Sequence, residues 1–166
     1  MEHKNFSLPF IAVSRTDVAR LAREVESLED YIHQANLRSP GHESDLKMPK
    51  TSRMLDELAT ENSLNLLDAD SRRKLLNSLN LIRDKAPVVH MSFSVEPSAA
   101  FMQKMVMWWR ANIDPYVLLE AGLQPNIAIG CVVRTPNHQY DFSLRERLMA
   151  KQSTLAKMLE PTEVAA

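Results

Sequence analysis

The sequence predicts an α+β fold that is predominantly helical, and three observations carry this. Apolar residues recur every three or four positions over 14–36 and again over 70–85, the period of a one-sided helix. From residue 88 the period changes to two, as in a half-buried strand. Thr135, Pro136, Asn137 and His138 then separate two short strand-like runs and supply the turn residues of a hairpin. The expected organisation is a helical region over 1–86 followed by a C-terminal domain over 87–160. That domain is expected to hold a small sheet, as strand, helix, β-hairpin and capped helix, with a frayed tail over 161–166.

The first helix carries Val18, Leu21, Ala22, Val25, Leu28 and Ile32 on one stripe. Ser14 and Asp17 are spaced to cap its first turn, where backbone N–H groups have no partner within the helix. Arg20 with Glu24 and Arg23 with Glu26 are spaced for ion pairs away from the stripe. Residues 37–50 hold Pro40, Gly41 and Pro49 among few apolar groups and read as a linker or exposed loop. A short helix is expected over 53–61. A longer one is expected over 70–85, with Leu75, Leu76, Leu79 and Ile82 on one face and Asp70 favouring its start.

In the strand over 88–95, Val89, Met91, Phe93 and Val95 form one side. Pro97 and Ser98 open a helix that reaches residue 112. Its apolar residues Phe101, Met102, Met105, Val106, Trp108 and Trp109 spread around the circumference, so it is expected to be covered on more than one side. A second strand over 127–134 turns into a third over 139–141. The last helix, over 143–159, has Leu144, Leu148, Leu155 and Leu159 on one side, with Ser143 and Glu146 spaced as a capping box.

Composition narrows the chemistry. With 20 basic and 21 acidic side chains, the chain lacks the basic excess usual in nucleic-acid binders. The single Cys131 excludes an internal disulfide and a multi-cysteine zinc site, and suits a reducing compartment. The three glycines, Gly41, Gly122 and Gly130, do not make the closely spaced set that a phosphate-cradling loop needs. The opening residues have too short an apolar stretch for a signal peptide, and no run approaches the ~20 apolar residues of a membrane span. Any membrane association is expected to run through a partner.

Candidate reactive groups are few. His90 and Cys131 could act as base and nucleophile only within hydrogen-bond reach of one another, and a cysteine in an apolar strand ordinarily packs as a small hydrophobe. His3, His33, His42, His90 and His138 include no i,i+4 pair. Asp141 with Asp114 or Glu120 could pair as acid and base, but carboxylates at turns and helix starts ordinarily cap. No catalytic, cofactor-binding or metal-binding residue is expected. Neighbours on a helix differ by about 100° in direction, so Trp108 and Trp109 cannot both face one interior. Met and Trp at helical spacing ordinarily pack as core, but one ring could instead anchor a partner, and Trp108, Trp109, Met105 and Leu155 are the candidate partner-binding residues.

A further constellation lies between residues 124 and 148. Gln-Pro-Asn-Ile-Ala-Ile-Gly-Cys-Val-Val-Arg over 124–134 is followed by Tyr-Asp-Phe-Ser-Leu-Arg-Glu-Arg-Leu over 140–148. These residues resemble the signature of the delta subunit of F-type ATP synthases. There an apolar strand with a Gly-Gly pair ends in Arg, a second strand ends in Asp-Gly-Ser, and a helix with Arg and Leu follows. Gly130, Val132, Val133, Arg134, Asp141, Ser143, Arg145, Arg147 and Leu148 match without a gap. Ile129 stands for the first glycine of the pair and Phe142 for the glycine between Asp and Ser. The upstream strand and helix follow the order of the family's C-terminal domain. Before residue 88 the chain has about three helices where the family has a six-helix bundle.

The resemblance implies a non-catalytic stator subunit of a proton-driven synthase, peripheral on the cytoplasmic face of the inner membrane. It implies two partners, the C-terminal helix of the stalk b subunit and the N-terminal segments of the alpha subunits. The helices over 97–112 and 143–159 are the expected seat for the b subunit, and the signature residues are expected to be architectural. An alternative is a small helical nucleic-acid-binding regulator, using Arg134, Arg145, Arg147 and Lys151 with Tyr140 and Phe142 between them.

Overall fold

Residues 6–38, 49–127 and 129–151 are described by the computed structural model. In chain order the elements are α1 (Arg15–Arg38), α2 (Arg53–Glu61), α3 (Ala69–Lys85), β1 (Val88–Phe93), α4 (Ala99–Asn112) and β2 (Leu118–Leu123). A 3-10 turn at Pro125–Ile127 leads to β3 (Cys131–Arg134), β4 (Gln139–Asp141) and α5 (Arg145–Ala150). The fold is α+β and predominantly helical, with one small mixed sheet of order β2-β1-β3-β4. By their contacts the described residues divide into two units, one within Met1–Val88 and Ala99–Glu120, the other within Val89–Ser98 and Ala121–Ala166.

The helical unit is built on the α1 stripe. Val18, Leu21, Ala22, Val25, Leu28 and Ile32 are all buried, as their spacing requires, and share a core with Leu55, Leu58, Leu75, Leu79 and Ile82. The first turn of α1 is closed reciprocally. Asp17 N donates to Ser14 Oγ at 3.2 Å, while Ser14 N donates to the Asp17 carboxylate at 2.9 Å. Two expected ion pairs are replaced. Glu24 accepts from Ser52 N at 2.5 Å and Ser52 Oγ at 2.7 Å, and Arg23 Nε donates to the Ala19 carbonyl at 3.2 Å. Ser52 in turn caps α2 by accepting from Leu55 N. α3 begins one residue earlier than expected, because Asp68 and not Asp70 takes the cap position and accepts from Ser71 N at 2.9 Å.

Arg110, in the last turn of α4, sits in this unit as a buried cation. Its guanidinium donates to the carbonyls of Leu8, Pro9, Ala12 and Val117, at 2.6 to 3.2 Å. Three of those acceptors belong to the non-helical segment before α1, where buried carbonyls need donors and Pro9 O also accepts from Ala12 N at 3.0 Å. Tyr116 Oη adds a bond to the Phe6 carbonyl at 3.0 Å, and Leu119 N donates to Val13 O at 2.8 Å. Burial pushes Arg110 down to about 10, against the opposing pull of Glu61, so it stays charged at neutral pH.

α4 departs from expectation. Its buried residues are Met102, Val106 and Arg110, one i,i+4,i+8 stripe, whereas Phe101, Met107 and Trp108 are exposed. The helix is covered on one side only. β1 also ends early, at Phe93, so Val89, Met91 and Phe93 are buried and Val95 is exposed.

In the sheet unit β1 pairs antiparallel with β3, and β3 with β4. The strand expected over 127–134 is shorter. Pro125–Ile127 form a 3-10 turn, Gly130 takes a φ of 105°, and the strand begins only at Cys131. The expected capping box is not the start of α5. The cap residue is Leu144, without a side-chain bond, and Ser143 N donates instead to Asp141 Oδ1 at 2.8 Å. The part of the last helix expected beyond residue 151, with Leu155 and Leu159, lies outside the described residues, as does most of the loop expected over 37–50.

Candidate functional site

Three of the signature residues, Gly130, Asp141 and Ser143, meet at one corner of the sheet unit. Positive φ at Gly130 turns the chain into β3, and the turn is flanked by two cross-chain bonds. Leu144 N donates to Ile129 O and Phe142 N to Cys131 O, both at 2.9 Å. These bonds draw the segment at 142–144, just after β4, directly over Gly130. A Cβ there would stand 2.4 Å from Phe142 O and 2.8 Å from Ser143 Cα, both backbone atoms that cannot swing aside. Glycine is therefore required twice, by the left-handed conformation and by the contact.

Asp141 completes the corner. Its carboxylate accepts from Ser143, an Asx turn that reverses the chain before α5. Those bonds hold the Asp141 carboxyl below its ordinary range, with Arg145 adding a smaller attraction. Arg145, Arg147 and Leu148 follow on α5 as exposed residues, and Arg134 at the end of β3 bonds Gln139 Oε1 at 3.1 Å. Asp114, one of the two candidate partners of Asp141, accepts from Tyr116 N at 2.8 Å in its own turn. Both carboxylates thus serve backbone turns.

Register separates the other candidate constellations. Cross-strand partners share a face of a sheet. Cys131 is opposite Phe93 and His90 is opposite Arg134, so His90 and Cys131 lie three positions apart on opposite faces and do not pair as base and nucleophile. Burial and Asp141 also push the Cys131 thiol up, the reverse of what an activated cysteine needs. Tyr140 is opposite Val133, whereas Arg134 is opposite Gln139, so Arg134 and Tyr140 are on opposite faces too. The rings of His138, Tyr140 and Phe142 form a ladder along one side of β4, with centroids 6.0 and 6.2 Å apart and planes within 19°. Among the described residues no group of three or more His, Cys, Asp or Glu is arranged to hold a metal ion.

The two tryptophans divide as their angular separation demands. Trp108 is 54% exposed, and Trp109 is half-buried with its ring edge-on to Trp108 at 5.5 Å. Trp109 Nε1 is buried with no acceptor among the described residues. Met105, one turn before Trp109, is half-buried, and Leu155 lies outside the described residues. Sequence reasoning missed Phe10. It is exposed before α1 and, with Met107, Ala111 and Pro115, lines a groove of about 410 Å³ beside Arg110. No period marks a lone aromatic in a non-helical segment, so only folding reveals it.

No family model matches this sequence, and no curated protein matches it. No helix among the described residues is long and apolar enough to cross a membrane. Fold and site together define the class: an α+β protein in which Gly130, Asp141 and Ser143 build a corner of backbone and Phe10, Phe101, Trp108, Tyr140 and Phe142 are exposed.

Proposed function

We propose that this chain is a non-catalytic, delta-type stator subunit of a proton-driven F-type ATP synthase. It joins the catalytic head to the b-subunit stalk and resists rotor torque, held peripherally at the cytoplasmic face of the inner membrane. The observation that carries this is the contact of Gly130 with Phe142 and Ser143. Gly130 from the first run of the resemblance and Asp141 and Ser143 from the second form one interlocked corner, which supports the reading. Phe142, at the family's glycine position, points its side chain to solvent and leaves that corner intact.

A stator interface must withstand torque without chemistry, and buried apolar area with aromatic anchors supplies that. The exposed side of α4, with Phe101 and Trp108 and the half-buried Met105 and Trp109, is the proposed seat for the C-terminal helix of the b subunit. The N-terminal segments of the alpha subunits are the second proposed partner, through the helical unit. Pull-down and native mass spectrometry with the same organism's b subunit test the proposal. A one-to-one complex weakened at least tenfold by Trp108→Ala is expected, and the absence of any complex with b or alpha segments would sink it.

The ring ladder of His138, Tyr140 and Phe142 favours a second reading, a regulator that stacks single-stranded nucleic acid on those rings. Arg134 lies on the other face, which removes one cation from that platform. A mobility shift that weakens steeply with salt and on Tyr140→Ala is its test.

A further inference from the structure

α1 presents a face on which Arg15, Ala19 and Arg23 follow at intervals of four, with Thr16 beside them. Together with Arg83 and Asp84 at the end of α3, these residues line an open groove of about 570 Å³ in the helical unit. The charge in this groove is not neutralised from within. Arg23 folds its Nε back onto Ala19 O at 3.2 Å. Arg83 pairs with Asp84 at 3.0 Å, and among the described residues neither Arg15 nor Arg23 has a carboxylate partner. Three guanidinium groups therefore face one carboxylate.

Spacing decides what kind of anion fits. Arg15 and Arg23 are eight residues apart, about 12 Å along a helix, too far for one phosphate or carboxylate to touch both. A ligand that uses both must be extended and carry separated charges. Asp84 opposes a polyanion with continuous charge, such as a phosphodiester chain, but can accept from a peptide N–H or a single basic side chain. Guanidinium groups bond carboxylates in pairs of parallel N–H···O contacts, which gives such a site geometric selectivity.

We propose that this groove docks an acidic polypeptide segment with two carboxylates about 12 Å apart, one on Arg15 and one on Arg23. The surface is distinct from the aromatic face of α4 and does not rest on the stator reading. Either can fail alone.

The test uses the full chain and a fluorescein-labelled 16-residue helical peptide with Glu at i, i+4 and i+8, read by anisotropy in low salt. Controls are the same peptide with Gln at those positions, a single-stranded 16-mer oligonucleotide, and inorganic phosphate as competitor. The Glu peptide binds at least tenfold more tightly than the Gln peptide. Arg15→Gln with Arg23→Gln weakens it at least tenfold, while Arg20→Glu, on α1 outside the groove, changes binding less than twofold. Circular dichroism and a thermal melt check that the variants keep their helices. Equal loss from Arg20→Glu would mean diffuse charge attraction and overturn the proposal. So would tighter binding of the oligonucleotide, displacement of the peptide by millimolar phosphate, or no binding of the Glu peptide.

Discussion

The α-carbon of Gly130 lies so close to Phe142 that a methyl group there would stand 2.4 Å from the Phe142 carbonyl oxygen. The contact makes β3 and the start of α5 depend on one another, although eleven residues and a hairpin separate them. Gly130→Ala must either break the φ of 105° or push the 142–143 backbone away. A loss of about 2 kcal/mol or more is expected, measured by urea unfolding, with faster amide exchange over 139–145. An unchanged midpoint would contradict the tight corner.

Arg110 holds the segment before α1 through its carbonyls. Arg110→Met keeps the apolar stem but removes a donor from four carbonyls, of which Pro9 O keeps Ala12 N, at an expected cost of about 3 kcal/mol. Arg110→Lys is expected to recover little, because an ammonium is a point donor and cannot span acceptors arranged for a planar fork. Urea unfolding gives the stability. Limited proteolysis at residues 6–13 reports whether the segment opens first.

Asp68 and Asp141 each accept from a serine two or three residues on, and these bonds hold both carboxyls below the ordinary 3.8. The sign follows from the folded value lying below the unfolded one. The contribution is complete above about pH 4 and disappears as pH falls through the depressed values. Protection of the Ser71 and Ser143 amides, taken relative to intrinsic exchange at each pH, is expected to fall on acidification below that point. In Asp68→Asn and Asp141→Asn the acid dependence at the respective serine is expected to vanish.

Cys131 is expected to be a slow thiol. Burial and Asp141 raise its ionisation, so at pH 8 little thiolate is present in the folded chain. Iodoacetamide should alkylate the native protein about tenfold more slowly than the urea-unfolded one, read by intact mass. Rapid native labelling would instead signal an activated cysteine.

Ser52 joins two helices, capping α2 while donating to Glu24 of α1. Ser52→Ala is expected to cost about 1–2 kcal/mol, toward the upper end for a cap because the hydroxyl serves both roles. A thermal melt measures it. A double-mutant cycle with Glu24→Gln should show the two changes to be coupled.

How much was legible follows from how local each cause is. The six-residue stripe of α1, the Ser14–Asp17 cap and the bounds of α2 depend on neighbours within a turn, and reading them needs only spacing. β2 was missed because Leu118, Leu119, Glu120, Ala121, Gly122 and Leu123 do not alternate and include residues that favour helices. Its extended form comes from the sheet, with Leu118 and Leu119 buried and the rest open. Ser143 looked like a helix cap until Asp141, two residues back, took its N–H for a turn.

By itself the sequence determined the helices, the change of period at residue 88, the hairpin and the α+β class, because periodic burial and turn chemistry act over a few residues. The corner residues were picked out as a set only through the resemblance to the delta-subunit signature. Only the tertiary structure decided that Arg110 is a buried cation and not a solvated helix end, that His90 and Cys131 stand on opposite faces, and that Trp108 faces outward beside a half-buried Trp109. Those outcomes rest on carbonyls about a hundred residues away, on strand register and on which face of α4 the chain covers. No local pattern encodes such long-range pairings.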